Sequence, residues 1–104
     1  MDRCIWKARV LPGKLAEYEK RHREIWPEMA EILRSCGITN YTIWNNGSEL
    51  IGYYECQSLE YADRLKAESE VVRRWGESMR GIMELVTDPE TGGVLRYRQI
   101  FEFN

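Results

Sequence analysis

Three patterns in the sequence predict an α+β fold with the element order β-α-β-β-α-β. Segments near residues 3–10, 38–44, 50–56 and 94–103 alternate apolar and polar residues or are rich in β-branched and aromatic residues, as strands are. After the first strand, apolar residues recur at spacings of three and four, which indicates a helix. After the third strand, serine residues that can cap helices mark a second helical unit. The segment between the two middle strands is rich in asparagine and glycine, which predicts a tight hairpin turn. We therefore expect a ferredoxin-like arrangement: one antiparallel four-stranded sheet with helices on one face.

The first strand is predicted from Arg3 to Val10 and ends at Leu11-Pro12-Gly13. A helical stripe follows, formed by Leu15, Tyr18, His22, Ile25, Trp26, Met29, Ile32 and Leu33. Pro27 interrupts this stripe because it has no N–H and disfavours helical angles at the residue before it. The pattern therefore predicts two helices, over residues 14–24 and 27–36, with Gly37 as the stop.

The second half begins with a predicted hairpin. Its strands are Ile38 to Trp44 and Leu50 to Cys56, and Asn45-Asn46-Gly47 forms the turn because these residues tolerate positive φ.

Two helices and a strand complete the predicted fold. Ser58 is expected to cap a helix over residues 59–67, and Ser69 a second helix over 70–84. A loop over residues 87–93 then leads to the last strand, predicted from Val94 to Phe103.

Several predicted strands carry large side chains on both faces, as in the neighbouring pairs Ile5-Trp6, Tyr53-Tyr54 and Ile100-Phe101. In the ferredoxin-like arrangement the helices cover only one face of the sheet. The second apolar face therefore predicts burial against a partner sheet, in a homodimer, or a ligand cavity.

The composition bounds the class of protein. The chain has 104 residues, of which 43% are hydrophobic, and we expect a single domain over residues 1–104. The 17 acidic and 15 basic residues give a net charge of −2, which argues against nucleic acid or an anionic membrane as the main partner. The sequence shows no signal peptide pattern and no apolar segment near the roughly 18–20 residues of a transmembrane helix.

The three cysteines are Cys4, Cys36 and Cys56. Their number is odd and no CxxC motif occurs, so a disulfide framework or a structural zinc site is not predicted. We interpret them as structural thiols of a protein in the reducing cytoplasm.

His22 is the only histidine and the first candidate for acid–base chemistry. Histidine is the side chain whose ordinary pKa suits proton transfer near pH 7. Tyr18 lies one turn earlier, so both side chains share one helix face. From position alone, a core or exposed histidine without a catalytic role is the more common case, and no suitably spaced cysteine or carboxylate completes a metal site.

The chain is rich in aromatic residues, with four tryptophans and six tyrosines. Aromatic faces stack on sugar C–H groups and tyrosine hydroxyls bond to sugar hydroxyls, although an aromatic stripe more often belongs to a core. No phosphate-binding loop and no nucleophile signature occur.

Residues 18–28, YEKRHREIWPE, resemble the Y-x-x-R-H-x-x-I-W-P-E segment of the L-rhamnose mutarotase family. The similarity continues through residues 40–43, through Arg74-Trp75 and Met79, and through the end of the chain. It spans essentially the whole sequence, and the R-H-x-x-I-W-P-E block is specific.

The resemblance implies a dimeric α+β barrel that interconverts the α and β anomers of L-rhamnose or a related 6-deoxy sugar. It implies that His22 is the proton donor, that Tyr18, Tyr41 and Trp75 line the sugar site, and that no cofactor is needed. The sequence departs from the family at Gly76, where a second tryptophan is usual, and in the loop over residues 87–92. Both departures bear on which sugar is bound.

Two other classes of protein share this fold. One is a cofactor-free oxygenase or haem-handling enzyme, and the other is a non-catalytic small-molecule-binding domain. A fold alone does not distinguish them from a mutarotase.

Overall fold

The computed structural model describes residues 1–104 as four strands and four helices. In chain order they are β1 (Asp2–Val10), α1 (Leu15–Arg23), α2 (Pro27–Ser35), β2 (Thr39–Asn46), β3 (Glu49–Cys56), α3 (Leu59–Ala67), α4 (Glu70–Ser78) and β4 (Met83–Leu85). The strands form one antiparallel sheet in the order β2-β3-β1-β4. The ferredoxin-like α+β fold predicted from the sequence is confirmed.

The helix boundaries follow the local signals. Pro27 occupies the first turn of α2, and Trp26 before it is extended, with φ −60° and ψ 137°. The Ser58 hydroxyl accepts a hydrogen bond from the Tyr61 N–H at the start of α3, and Ser69 caps α4 in the same way. No helix is long and apolar enough to cross a membrane.

The core lies on one face of the sheet, which we name the inner face. Side chains alternate in burial along β3, with Leu50 and Tyr54 almost fully buried beneath the helices. Cys4, Cys36 and Cys56 are free, buried thiols. The opposite, outer face carries Ile5, Ile51, Tyr53 and Trp44, and Trp44 is 67% exposed.

The end of the fold differs from the prediction in two respects. Helix α4 ends at Ser78 rather than at residue 84, because the chain turns at Gly81, whose φ of 79° is incompatible with a continuing helix. The fourth strand is Met83–Leu85, which pairs with residues 8–10 of β1. The expected strand from Val94 to Phe103 is wrong.

The C-terminal segment, residues 95–104, forms no strand, and Val94 makes only an isolated bridge to Thr87. Its contacts to β1 include side-chain hydrogen bonds from Arg3 to Gln99 and Glu102. An alternating pattern predicts an extended chain but cannot specify which strand edge that chain will pair with.

Candidate active site between the helices and the sheet

A cleft of about 650 Å³ lies between the inner face of the sheet and the helices. All four residues predicted for the site line it: Tyr18, His22, Tyr41 and Trp75. A hollow of similar volume at the turn after β1 is lined by aliphatic and backbone groups, with Arg9 as its only charged residue. The cleft is therefore the candidate active site.

His22 is oriented by a hydrogen bond within its own helix. Its Nδ1 lies 3.0 Å from the backbone carbonyl oxygen of Tyr18. A carbonyl only accepts, so Nδ1 carries the hydrogen and donates it, which leaves Nε2 free to exchange a proton. The Tyr18 and His22 rings lie 4.4 Å apart at their centroids, inclined by 33°.

Trp75 on α4 is held between two other aromatic rings. It lies edge to face with His22 at 5.5 Å and with Trp26 at 5.2 Å. Edge-to-face contacts favour one orientation of the indole. Trp26 was not among the predicted site residues. It is the extended residue that precedes Pro27 at the start of α2.

Arg21 joins the helix that carries His22 to the helix that carries Trp75. Its guanidinium donates to the Ser78 carbonyl at the end of α4 and to the Glu17 carboxylate at 2.9 Å. The bond to Arg21 lowers the pKa of Glu17. The sequence does not reveal this contact, because Arg21 and Ser78 are 57 positions apart along the chain.

The sheet side of the cleft is built on a β-bulge. Between Thr39 and Thr42, β2 has one residue more than β3, and Asn40 adopts a φ of 51°. Asparagine is among the residues that best tolerate this conformation. The Asn40 amide donates to the Glu55 carboxylate at 2.8 Å, and the Tyr41 ring lies 5.2 Å from that of Tyr54.

The Tyr41 hydroxyl accepts a hydrogen bond of 3.0 Å from the Trp6 indole N–H. Although 37% of Tyr41 is exposed, its hydroxyl lies inside the cleft, and removal from water raises its pKa to about 12. Burial likewise raises the pKa values of Tyr18 and Tyr54 above the ordinary tyrosine value. All three hydroxyls are neutral near pH 7, where they can form hydrogen bonds but not act as bases.

Gly76 follows Trp75 in α4 and also lines the cleft. A β carbon at this position would meet no atom within 4 Å, so the cleft is open here. No three His, Cys, Asp or Glu side chains converge closely enough to bind a metal ion.

Comparison with known proteins identifies relatives over the whole chain. The family model of L-rhamnose mutarotase matches residues 3–103. An L-rhamnose mutarotase of Lachnoclostridium phytofermentans is 40% identical over 96 residues, which cover 90% of this chain and 89% of the relative.

Two solved structures show the same fold. The crystal structure of an L-rhamnose mutarotase from Formosa agariphila superposes with a TM-score of 0.78 at 20% identity, and the alignment covers 100% of each chain. A dimeric ferredoxin-like protein from an uncultured marine organism has a TM-score of 0.64 at 16% identity, covering 98% of this chain and 96% of that one.

Proposed function

The chain belongs to the L-rhamnose mutarotase family and is a sugar mutarotase, an isomerase, and we propose that it acts on L-rhamnose or a related 6-deoxy sugar in the cleft described above. The orientation of His22 carries this proposal. Its Nδ1–H is committed to the Tyr18 carbonyl, which leaves Nε2 available for proton transfer beside Trp75.

Mutarotation exchanges the two faces of a cyclic hemiacetal. The anomeric hydroxyl loses a proton, the ring oxygen gains one, and the bond between the anomeric carbon and the ring oxygen breaks. The free aldehyde then rotates about its bond to C2, and the reverse steps close the ring on the other face. Protons and electrons balance without an oxidant, reductant or co-reactant.

His22 is the proposed acid that protonates the ring oxygen and takes the proton back on closure. A group that both donates and accepts near neutral pH serves the two directions equally. Tyr18 and Tyr41 are unsuited to this role, because burial raises their pKa values, so near pH 7 they give up a proton less readily than an ordinary tyrosine and have no phenolate form to take one up. The group that receives the anomeric proton is a water or a carboxylate, because the tyrosine hydroxyls of the cleft do not act as bases near pH 7.

The aromatic walls are proposed to orient the sugar. Trp75 presents an indole for stacking against sugar C–H groups, and its contacts with His22 and Trp26 hold it in place. The hydroxyls of Tyr18 and Tyr41 bond to sugar hydroxyls from the helix side and the sheet side. Of the other classes considered from the sequence, neither the oxygenase nor the non-catalytic domain is favoured by any observation.

We also propose that the protein is a homodimer joined through the outer face of the sheet. That face carries the exposed Trp44 and the 38% exposed Ile5. Three apolar residues of the C-terminal segment, Ile100, Phe101 and Phe103, are more than 70% exposed. A dimer would remove these side chains from water. We propose the cytoplasm as its location, since a reducing compartment keeps the three cysteines as thiols.

NMR saturation transfer between anomer signals tests the activity directly. Purified protein is added to L-rhamnose, L-fucose and L-lyxose, and the exchange rate is compared with that in buffer. We expect the largest acceleration for L-rhamnose or another 6-deoxy sugar. Equal rates with and without protein for every sugar would refute the proposed function.

A further inference from the structure

The cleft has a basic region that the proposed chemistry does not use. Besides His22, four charged side chains line it: Asp63, Lys66, Arg80 and Arg96. Three cations and one carboxylate leave an excess of two positive charges, whereas the whole chain has a net charge of −2. The cleft therefore has the opposite sign to the protein that contains it.

Three of these residues form a connected group, which we name the basic cluster: Asp63, Lys66 and Arg96. The Asp63 carboxylate lies 2.6 Å from the Arg96 guanidinium and 3.9 Å from the Lys66 ammonium. One carboxylate is thus shared by two cations that come from α3 and the C-terminal segment. It cannot neutralise both.

The two cations retain unused hydrogen-bond donors. Lys66 has three N–H groups, and its other contact is to the Tyr54 hydroxyl at 2.9 Å. Arg96 has five N–H groups, and its other contact is a weak one to the Cys4 sulfur at 3.6 Å. Both can therefore donate to a ligand without losing the contacts that hold them.

The basic cluster is continuous with the sheet wall of the cleft. The Lys66 ammonium lies 4.8 Å from the centroid of the Tyr54 ring, and that ring lies 5.2 Å from Tyr41. Tyr41 in turn receives the hydrogen bond from Trp6. The basic cluster is therefore adjacent to the Tyr41 side of the same cleft that His22 lines.

We propose that this cleft binds aldoses that carry an anionic group, either a carboxylate or a sulfate ester, with Lys66 and Arg96 contacting the anion while the anomeric centre lies at His22. The inference rests on the proposed function, since it assumes that this cleft is the mutarotation site. A neutral sugar gives the excess positive charge no partner, whereas an acidic sugar compensates it through charge-assisted hydrogen bonds. Asp63 holds the two cations in position and limits the excess charge.

The test compares matched acidic and neutral sugars by saturation transfer. D-galacturonate and galactose 6-sulfate are each measured against D-galactose, with L-rhamnose as the reference for activity. We expect the wild-type protein to accelerate at least one acidic sugar about tenfold or more over D-galactose, the effect of one charge-assisted hydrogen bond. This preference should weaken as NaCl is raised, because salt screens the attraction.

Substitutions that remove a positive or a negative charge from the basic cluster make the test specific. Lys66→Met should lower the ratio of acidic to neutral exchange about tenfold, Lys66→Arg should retain it, and Asp63→Asn should raise it. If the cluster had only a structural role, Lys66→Met and Asp63→Asn would change the ratio of acidic to neutral exchange in the same direction. Arg34→Met, which removes a cation that is 71% exposed on α2, should keep the wild-type ratio.

The outcomes separate the two proposals. If no sugar is accelerated, the proposed function fails and this inference fails with it. If L-rhamnose is accelerated but neither acidic sugar exceeds D-galactose, only the inference is overturned. The inference is also overturned if Lys66→Met and Asp63→Asn leave the ratio unchanged. Preference for D-galacturonate or for galactose 6-sulfate identifies the anionic group as carboxylate or sulfate.

Discussion

The indole of Trp6 on β1 lies directly over Gly52 on β3. The two residues are paired across the strands, and a β carbon at position 52 would overlap the indole ring. The absent side chain lets Trp6 lie close to the sheet, where its N–H reaches the Tyr41 hydroxyl. Gly52 thus shapes the cleft without contacting it.

Gly52→Ala is expected to destabilise the protein by about 1–3 kcal/mol, the usual cost of overpacking, and to raise KM for the sugar by displacing Trp6 and Tyr41. Gly76→Ala is the matched control. Its β carbon meets open space in a helix, so it should stabilise the fold by up to about 1 kcal/mol. Urea unfolding of both variants measures the difference, and equal stabilities would contradict this account of Gly52.

His22→Asn should lower the anomer exchange rate about 10²–10⁴-fold, the usual contribution of an acid–base group. Asparagine retains a similar size but cannot transfer a proton near pH 7. The rate is measured at saturating sugar per folded protein, with thermal unfolding as the control for stability. A rate within about threefold of wild type would remove His22 from the mechanism.

Arg21→Met should lower kcat more than it changes KM, because Arg21 acts as a positioning residue that holds the helix of His22 against the end of the helix of Trp75. We also expect a shift of the Trp75 indole N–H signal in the NMR spectrum and a loss of about 1.5–3 kcal/mol of stability.

The control for Arg21 is Arg34→Met, which removes an exposed i,i+3 ion pair and should change stability by less than about 0.5 kcal/mol. If Arg21→Met loses stability but keeps both the wild-type kcat and the Trp75 signal, its role is structural only.

Stability should fall as the pH rises above about 10, the ordinary tyrosine value. Tyr18, Tyr41 and Tyr54 all have pKa values raised by burial, so the folded state retains protons that the unfolded state has lost. The two buried groups, Tyr18 and Tyr54, each contribute stability that is fully present below the unfolded pKa and is lost above it, with a slope of up to about 1.4 kcal/mol per pH unit. In Tyr54→Phe, the free energy of unfolding measured with urea should decline less steeply between pH 9 and 11. An unaltered slope would show that the Tyr54 hydroxyl does not contribute to this pH dependence.

Placing a charge on the outer face should dissociate the proposed dimer. Ile5→Glu and Trp44→Glu each introduce a carboxylate that a sheet-to-sheet interface cannot solvate. Light scattering at micromolar concentration should show a dimer for wild type and a monomer for both variants. Tyr61→Glu is the control, because Tyr61 is 45% exposed on α3, away from the outer face. A monomeric wild-type protein would refute the proposed dimer.

The amino-acid sequence alone determined the local features of this protein. Helix breaks at Pro27, caps at Ser58 and Ser69, and the shared face of Tyr18 and His22 all depend on residues a few positions apart, where backbone geometry is specified directly. The family motif around His22 also lies within one short segment.

Only the tertiary structure decided which distant residues meet. The pairing of Met83–Leu85 with β1, the contact of Arg21 with Ser78, and the meeting of Arg96 with Asp63 join residues far apart in sequence. The alternation of Val94 to Phe103 predicted a strand, whereas Met83 and Glu84 lay at the end of a predicted helix, yet Met83–Leu85 is the segment that pairs with β1. The choice of pairing depends on where the chain turns and on which edge of β1 is accessible. Such choices are made by packing and hydrogen bonding across the whole fold, because no short segment contains both partners.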